Sequence, residues 1–182
     1  MVIAETSIAD VKCIRPEVHR DSRGFFLESW NERDLLDAGL DLRFVQDNHS
    51  HSTRGTLRGL HYQLAQPQGK LCRTIAGRVF DVVVDLRQHS PSFGQWTGKV
   101  LSDDQHEMLW VPPGFAHGFL VLSETADFVY KCTDYYRPDD ERIIRWDDPD
   151  LNIDWPLEAG IRPVMSARDG QGVAFRDASY YP

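Results

Sequence analysis

The chain has 182 residues, 41% of them hydrophobic and 26% charged, and its 20 basic against 28 acidic side chains give a net charge of −8. This is the balance of one soluble globular domain that buries a core without staples, and its sign excludes a general nucleic-acid binder, whose affinity rests on many phosphate-neutralising cations. No run approaches the roughly 18 apolar residues of a membrane-spanning helix, MVIAETSIAD lacks the basic start and apolar stretch of a signal peptide, and three cysteines without CxxC spacing point to a reduced, cytoplasmic protein.

In chain order, the turn residues Asp21-Ser22-Arg23-Gly24 open a strand over 24–30. A short helix follows Asn31, a good N-cap, with Glu32 and Asp34 in its first turn, Leu35 and Leu36 able to face a core, and Gly39 as its stop. Strands are predicted over 56–64, 71–75 and 78–86, the last two around a tight turn at Ala76-Gly77. The run RVFDVVVDLR has the β-branched content of a buried strand. Further strands fall at 96–101, 108–111, 117–122 and 126–132, separated by turns such as Pro91-Ser92-Phe93-Gly94 and Pro112-Pro113-Gly114. Beyond Asp134, Pro, Asp and Trp predict irregular loops and a short terminal helix. The pattern predicts one all-β domain, a sandwich, jelly roll or barrel with a few short helices.

Several polar groups exceed what a plain β-sandwich needs. The strand around Leu57-Arg58-Gly59-Leu60-His61 carries a fixed cation and a group that moves protons near neutral pH. Strict alternation puts Arg58 and His61 on opposite faces, Arg58 in solvent and His61 hydrogen-bonded in the core, whereas a bulge at Gly59 turns both inward. Lys70 reads either as a solvated turn lysine or as an ammonium offered to a bound anion. His117, aimed by a rigid Pro-Pro-Gly turn, is either a ligand contact or a core histidine. Tyr130 shares parity with Phe128 and Cys132, so its buried hydroxyl needs a partner, a substrate or a backbone carbonyl. Tyr136 stacks on a flat ring or covers the core, and Asp169 orients an imidazole or caps a turn.

A metal reading also arises. His49-Ser50-His51 and Pro112-x-Gly114-x-x-His117 match parts of the metal motifs of cupins, whose imidazoles hold iron, manganese or zinc. The cupin cluster needs a Glu a few residues after the His pair, where this chain has Ser52-Thr53-Arg54. No metal is therefore expected.

Several blocks in register resemble the dTDP-4-dehydrorhamnose 3,5-epimerase family over about residues 14–169. They include Asp21-Ser22-Arg23-Gly24-Phe25-Phe26-Leu27-Glu28-Ser29, Phe44-Val45-Gln46-Asp47-Asn48-His49-Ser50, Leu57-Arg58-Gly59-Leu60-His61, Pro67-Gln68-Gly69-Lys70-Leu71 and Pro113-Gly114-Phe115-Ala116-His117-Gly118-Phe119. Tyr130-Lys131 and Asp154-Trp155-Pro156 complete the match. The resemblance implies a cupin-like jelly roll, a homodimer that exchanges N-terminal strands within about residues 1–50, and no metal or cofactor. The implied reaction is epimerisation of dTDP-4-dehydro-6-deoxy-D-glucose at C3 and C5.

In that family pattern His61 is the base, Asp169 its carboxylate, Lys70 with Arg58 the stabiliser of the enolate oxygen, and Tyr130 the acid on the opposite face. Arg23, Phe26, Glu28, Gln46, Asp47, Asn48, Arg58, His117, Glu141 and Arg168 match substrate-contacting positions, and Tyr136 matches the residue that stacks on thymine. Some of these, Arg23 especially, are implied to come from the partner subunit. Arg168 stands where many relatives have Lys, and Arg142-Ile143-Ile144-Arg145 follows Glu141 where many have a glycine. Relatives in antibiotic-sugar pathways keep this scaffold but epimerise one carbon only; retention of Tyr130 and the His61–Asp169 pair favours two.

Overall fold

A computed structural model describes residues 1–158 and 161–182. Its strands are β1 (Val2–Glu5), β2 (Lys12–Arg15), β3 (Val18–Asp21), β4 (Gly24–Leu27), β5 (Gln46–Thr53), β6 (Leu57–Gln63) and β7 (Lys70–Ala76). These are followed by β8 (Arg78–Asp85), β9 (Trp96–Ser102), β10 (Met108–Val111), β11 (Phe115–Val121), β12 (Thr125–Cys132) and β13 (Glu141–Ile143), with a single α-helix, α1 (Glu32–Asp37), among the described residues. Two antiparallel sheets face each other, one ordered β1-β2-β10-β7-β12-β5 and the other β13-β6-β11-β8-β9. This is the all-β jelly roll expected. Among the described residues no helix is long and apolar enough to cross a membrane.

Alternation explains the layers. Inward residues such as Val79, Val83, Leu109, Phe119 and Phe128 are buried between the sheets, each contributing about 1.5–3 kcal/mol relative to exposure. The opposite parity of the five-stranded sheet, with Val82, Val84 and Leu120, is covered by Leu151, Trp155 and the aromatic C-terminal segment. On the outer face of the other sheet, Leu35 of α1 and Leu42 cover Ile14, Met108 and Trp110. The predicted turn at Gly77 does not close a hairpin: β7 pairs with β10 and β12, while β8 pairs with β11 and β9, so the chain changes sheets there. Gly77 has φ of 76°, and a Cβ would lie 2.2 Å from the Thr125 carbonyl oxygen.

Four expectations need correction. The strand predicted over 24–30 ends at Leu27, because the chain turns into α1 at its Asn31 cap. Leu36 is 53% exposed, since the six-residue helix presents only Leu35 to the sheet. The terminal helix is two short 3-10 turns, Asp169–Gln171 and Phe175–Asp177. Strand β5 was not expected at all, because its sequence QDNHSHST has no apolar alternation.

Candidate active site

The space between the sheets is packed with apolar side chains at one end and opens at the other into a cavity of about 360 Å³ lined largely by polar side chains. Strand β6 determines what faces it. His61 lies opposite His117 and Arg58 opposite Phe119, so two steps along β11 match three along β6. The extra residue is a β-bulge, which reverses side-chain parity and sends both Arg58 and His61 into the cavity. Gly59 makes this close approach possible. Its φ is 137°, and a Cβ would fall 2.5 Å from the Gly118 Cα.

His61 Nε2 lies 2.5 Å from Asp169 Oδ1, the carboxylate buried and the imidazole partly open to the cavity. Ser166 Oγ donates to the other carboxylate oxygen at 2.6 Å, and the Gly59 N–H makes a longer 3.4 Å contact to Oδ1. Burial alone would raise the Asp169 pKa, but the hydrogen bonds from His61 and Ser166 outweigh it and hold the carboxyl below its ordinary value. An ionised carboxylate thus orients an imidazole that faces an open cavity, an arrangement suited to general-base chemistry.

The facing sheet supplies Lys70 at the start of β7, which is buried with its side chain lining the cavity. Tyr130 of β12 also lines it, and burial pushes its phenol well above the ordinary tyrosine range. The hydroxyl therefore keeps its proton at neutral pH. Arg58 is steadied by Ser52 Oγ at 3.1 Å.

His117 makes a second imidazole–carboxylate pair: its Nε2 lies 2.9 and 3.0 Å from the two oxygens of fully buried Asp81. Cys72, Asp81 and His117 form a buried group of metal-ligating residue types. Burial pushes the Cys72 thiol well above its ordinary value, so it is protonated at neutral pH. The His49-x-His51 motif points the other way. Both rings lie on the exposed face of β5 and bond Asp127, at 2.8 and 3.1 Å, because residues one step from Asn48 and Ser50 face away from the cavity.

At the cavity rim a chain of amides begins at Cys132. Asn48 Nδ2 donates to its Sγ at 3.4 Å, Gln46 Nε2 donates to Asn48 Oδ1 at 3.1 Å, and Gln46 Oε1 accepts the Tyr136 N–H at 2.9 Å. The Tyr136 hydroxyl accepts from Arg168 Nη1 at 2.8 Å, and Arg168 also pairs with Glu141. All the polar side chains of this chain but the cysteine line the cavity.

Eleven of the positions singled out from the sequence thus meet at one cavity. Arg23, Phe26 and Glu28 do not: all three are exposed, Arg23 and Phe26 on the β3–β4 hairpin and Glu28 just beyond it. Asp47 faces outward from β5, where it bonds Lys131 at 3.0 Å. Sequence reasoning missed Asp81 and Ser166. The signal for Asp81 was an acid inside RVFDVVVDLR at the inward parity of Val79 and Val83.

Residues 5–177 match the family model described as dTDP-4-dehydrorhamnose 3,5-epimerase. The chain is 54% identical over 183 aligned residues to a dTDP-4-dehydrorhamnose 3,5-epimerase of Pseudomonas aeruginosa, covering 100% of both chains. It is also similar to a crystal structure of a dTDP-6-deoxy-D-glucose-3,5-epimerase from Legionella pneumophila in complex with dTDP-4-keto-L-rhamnose, with 49% identity and a TM-score of 0.94 over 98% of this chain and 94% of that one. A 3'-monoepimerase from Streptomyces bikiniensis in complex with dTDP-quinovose shares 34% identity and a TM-score of 0.86, over 93% of this chain and 86% of that one.

Proposed function

Because this chain belongs to the dTDP-4-dehydrorhamnose 3,5-epimerase family, we propose that His61, Asp169, Lys70 and Tyr130 divide the work of its double proton transfer. The chain is an isomerase that epimerises dTDP-4-dehydro-6-deoxy-D-glucose at C3 and C5. Both carbons are α to the C4 ketone, so each releases a proton once the resulting enolate is stabilised. His61 takes the proton, and Asp169 orients its ring and stabilises the imidazolium that forms. Lys70, with Arg58 beside it, lowers the energy of the enolate oxygen; such preorganised charge in a water-poor site contributes several kcal/mol. Tyr130 returns a proton from the other face, and that two-sidedness inverts the centre. A base that removed and returned the proton on one face would give exchange alone.

The observation that carries this reading is the 2.5 Å His61–Asp169 contact opening onto a cavity that also holds Lys70 and Tyr130. The chemistry needs no redox or metal cofactor, because the ketone itself acidifies both C–H bonds. Arg168 offers the diphosphate a planar guanidinium fork, and Tyr136 stacks on thymine. A cytoplasmic location agrees with the three free cysteines.

The working unit is a homodimer. Of residues 1–50, the β3–β4 hairpin is the piece paired only with itself, in its own two-stranded sheet, and it carries exposed Phe25 and Phe26. Exchange of this arm brings Arg23, Phe26 and Glu28 to the neighbour's cavity. A mixture of Arg23→Ala and His61→Ala proteins that regains activity supports this, and a monomer by light scattering overturns it.

The function is tested by incubating chelator-treated protein with dTDP-4-dehydro-6-deoxy-D-glucose in deuterated water. Deuterium at C3 and C5, with an L-rhamnose derivative formed once a 4-ketoreductase and NADPH are added, is the expected result. Label at one carbon identifies a single-centre epimerase, and no label removes the mechanism.

A further inference from the structure

We propose that Ser166 is a positioning residue for the proton-transferring pair, holding the Asp169 carboxylate so that one oxygen alone serves His61. The inference rests on the reading of His61 as the base. Ser166 Oγ lies at the cavity rim and engages Asp169 twice: it donates to Oδ2 at 2.6 Å and accepts the Asp169 N–H at 3.1 Å. The Ser166 carbonyl also accepts the Gly170 N–H at 3.1 Å, which closes the turn. One hydroxyl thus fixes both the backbone and the carboxylate of Asp169.

The terminal torsion of an aspartate is broad, so its carboxylate is aimed by its partners. Oδ1 faces His61 and the Gly59 N–H, while Oδ2 faces Ser166. Without the hydroxyl, the carboxylate loses its second anchor, and more of its charge falls on the imidazole. The imidazole is then held less firmly in the orientation that takes a substrate proton. The same turn carries Arg168, whose guanidinium bonds the Tyr136 hydroxyl.

A serine that merely caps the turn would affect folding stability alone, so the test separates the two roles. Ser166→Ala, Ser166→Thr and His61→Ala are compared with wild type for melting temperature, kcat, KM, the pH profile of kcat, and deuterium uptake at C3 and C5. For Ser166→Ala, kcat is expected to fall roughly tenfold, KM to stay within about twofold, and the acidic limb of the profile to move. Ser166→Thr keeps the hydroxyl and restores kcat and the limb. Wild-type kcat and an unmoved limb in a folded Ser166→Ala protein overturn the proposal, as does an equal loss in the Thr and Ala variants. Wild-type deuterium uptake by His61→Ala would instead remove the underlying reading, and the proposal with it. An inactive His61→Ala beside an unaffected Ser166→Ala overturns the proposal alone.

Discussion

His61 and His117 stand opposite each other across the β6–β11 pair, and each imidazole is held by its own buried carboxylate, Asp169 for the first and Asp81 for the second. The carboxylates arrive by different routes. Asp81 comes from the neighbouring strand β8, and Asp169 from the segment beyond the jelly roll. The two carboxylates thus come from different parts of the chain.

Asp81 has no exposure, so removing its charge leaves His117 without the group that orients it. Leaving a buried hydrogen-bonding group without its partner costs about 1–3 kcal/mol. Asp81→Asn, which keeps the shape, is expected to lower the melting temperature and raise KM for the nucleotide sugar about tenfold. Melting curves and steady-state kinetics check this, and unchanged values in both would show that His117 needs no carboxylate.

Gly59→Ala tests the bulge. A side chain there combines a φ of 137° with a Cβ 2.5 Å from the Gly118 Cα, and the two effects together cost about 2 kcal/mol or more. The expected protein is less stable and has lost most of its turnover, because Arg58 and His61 no longer share the cavity. Full activity at wild-type stability would contradict the geometry.

Tyr130→Phe removes one oxygen from a half-buried ring that packs 6.0 Å from Phe128. The fold is retained. Net epimerisation is expected to fall at least about a hundredfold, while His61 continues to exchange substrate protons with deuterated solvent. Loss of exchange together with turnover would move Tyr130 from proton return to proton removal.

Tyr136→Ala is expected to raise KM about tenfold with little change in kcat, since base–aromatic stacking is worth about 1–3 kcal/mol. Isothermal titration with a thymidine diphosphate reads the same loss. Equal affinity in the two proteins would place the base elsewhere.

A pH effect on stability follows from Asp85, which accepts hydrogen bonds from Arg87, Ser90 and Ser92. Burial opposes ionisation, but these donors prevail and lower its pKa from 3.8 to about 2. A depressed carboxylate contributes its full stability above the ordinary value and loses it as pH falls toward the folded one. Asp85→Asn should therefore melt below wild type at pH 7, with the gap closing between pH 4 and 2. A gap independent of pH would mean that charge plays no part.

Legibility in the sequence depended on what each strand faces. Strand β8 was visible because Val79, Val82, Val83 and Val84 are buried among apolar neighbours. Strand β5 was invisible because Gln46, Asn48 and Ser50 look into a polar cavity while Asp47, His49 and His51 look into solvent. The bulge at Gly59 was one of two readings, strict alternation with Arg58 in solvent being the other, and the register against β11 decides between them. Ser166 and Asp81 escaped notice because each acts through another side chain, a relation that spacing along the chain does not encode. Family resemblance, carried by blocks in register, supplied the roles that local pattern left open.

The way Asp169 is suspended has a thermal consequence. Its segment is tied to the jelly roll by two isolated bridges, Thr56 with Val164 and Ile144 with Val173, and between them Ser166, Ala167, Arg168 and Gly170 are exposed. Such a stretch opens at a lower free energy than the sheets it rests on. Heating should then release the carboxylate while both sheets are intact, so that the enzyme stops turning over before it melts. Amide hydrogen exchange should be fast along this segment and slow in β8 and β11, and cooling should restore activity without refolding.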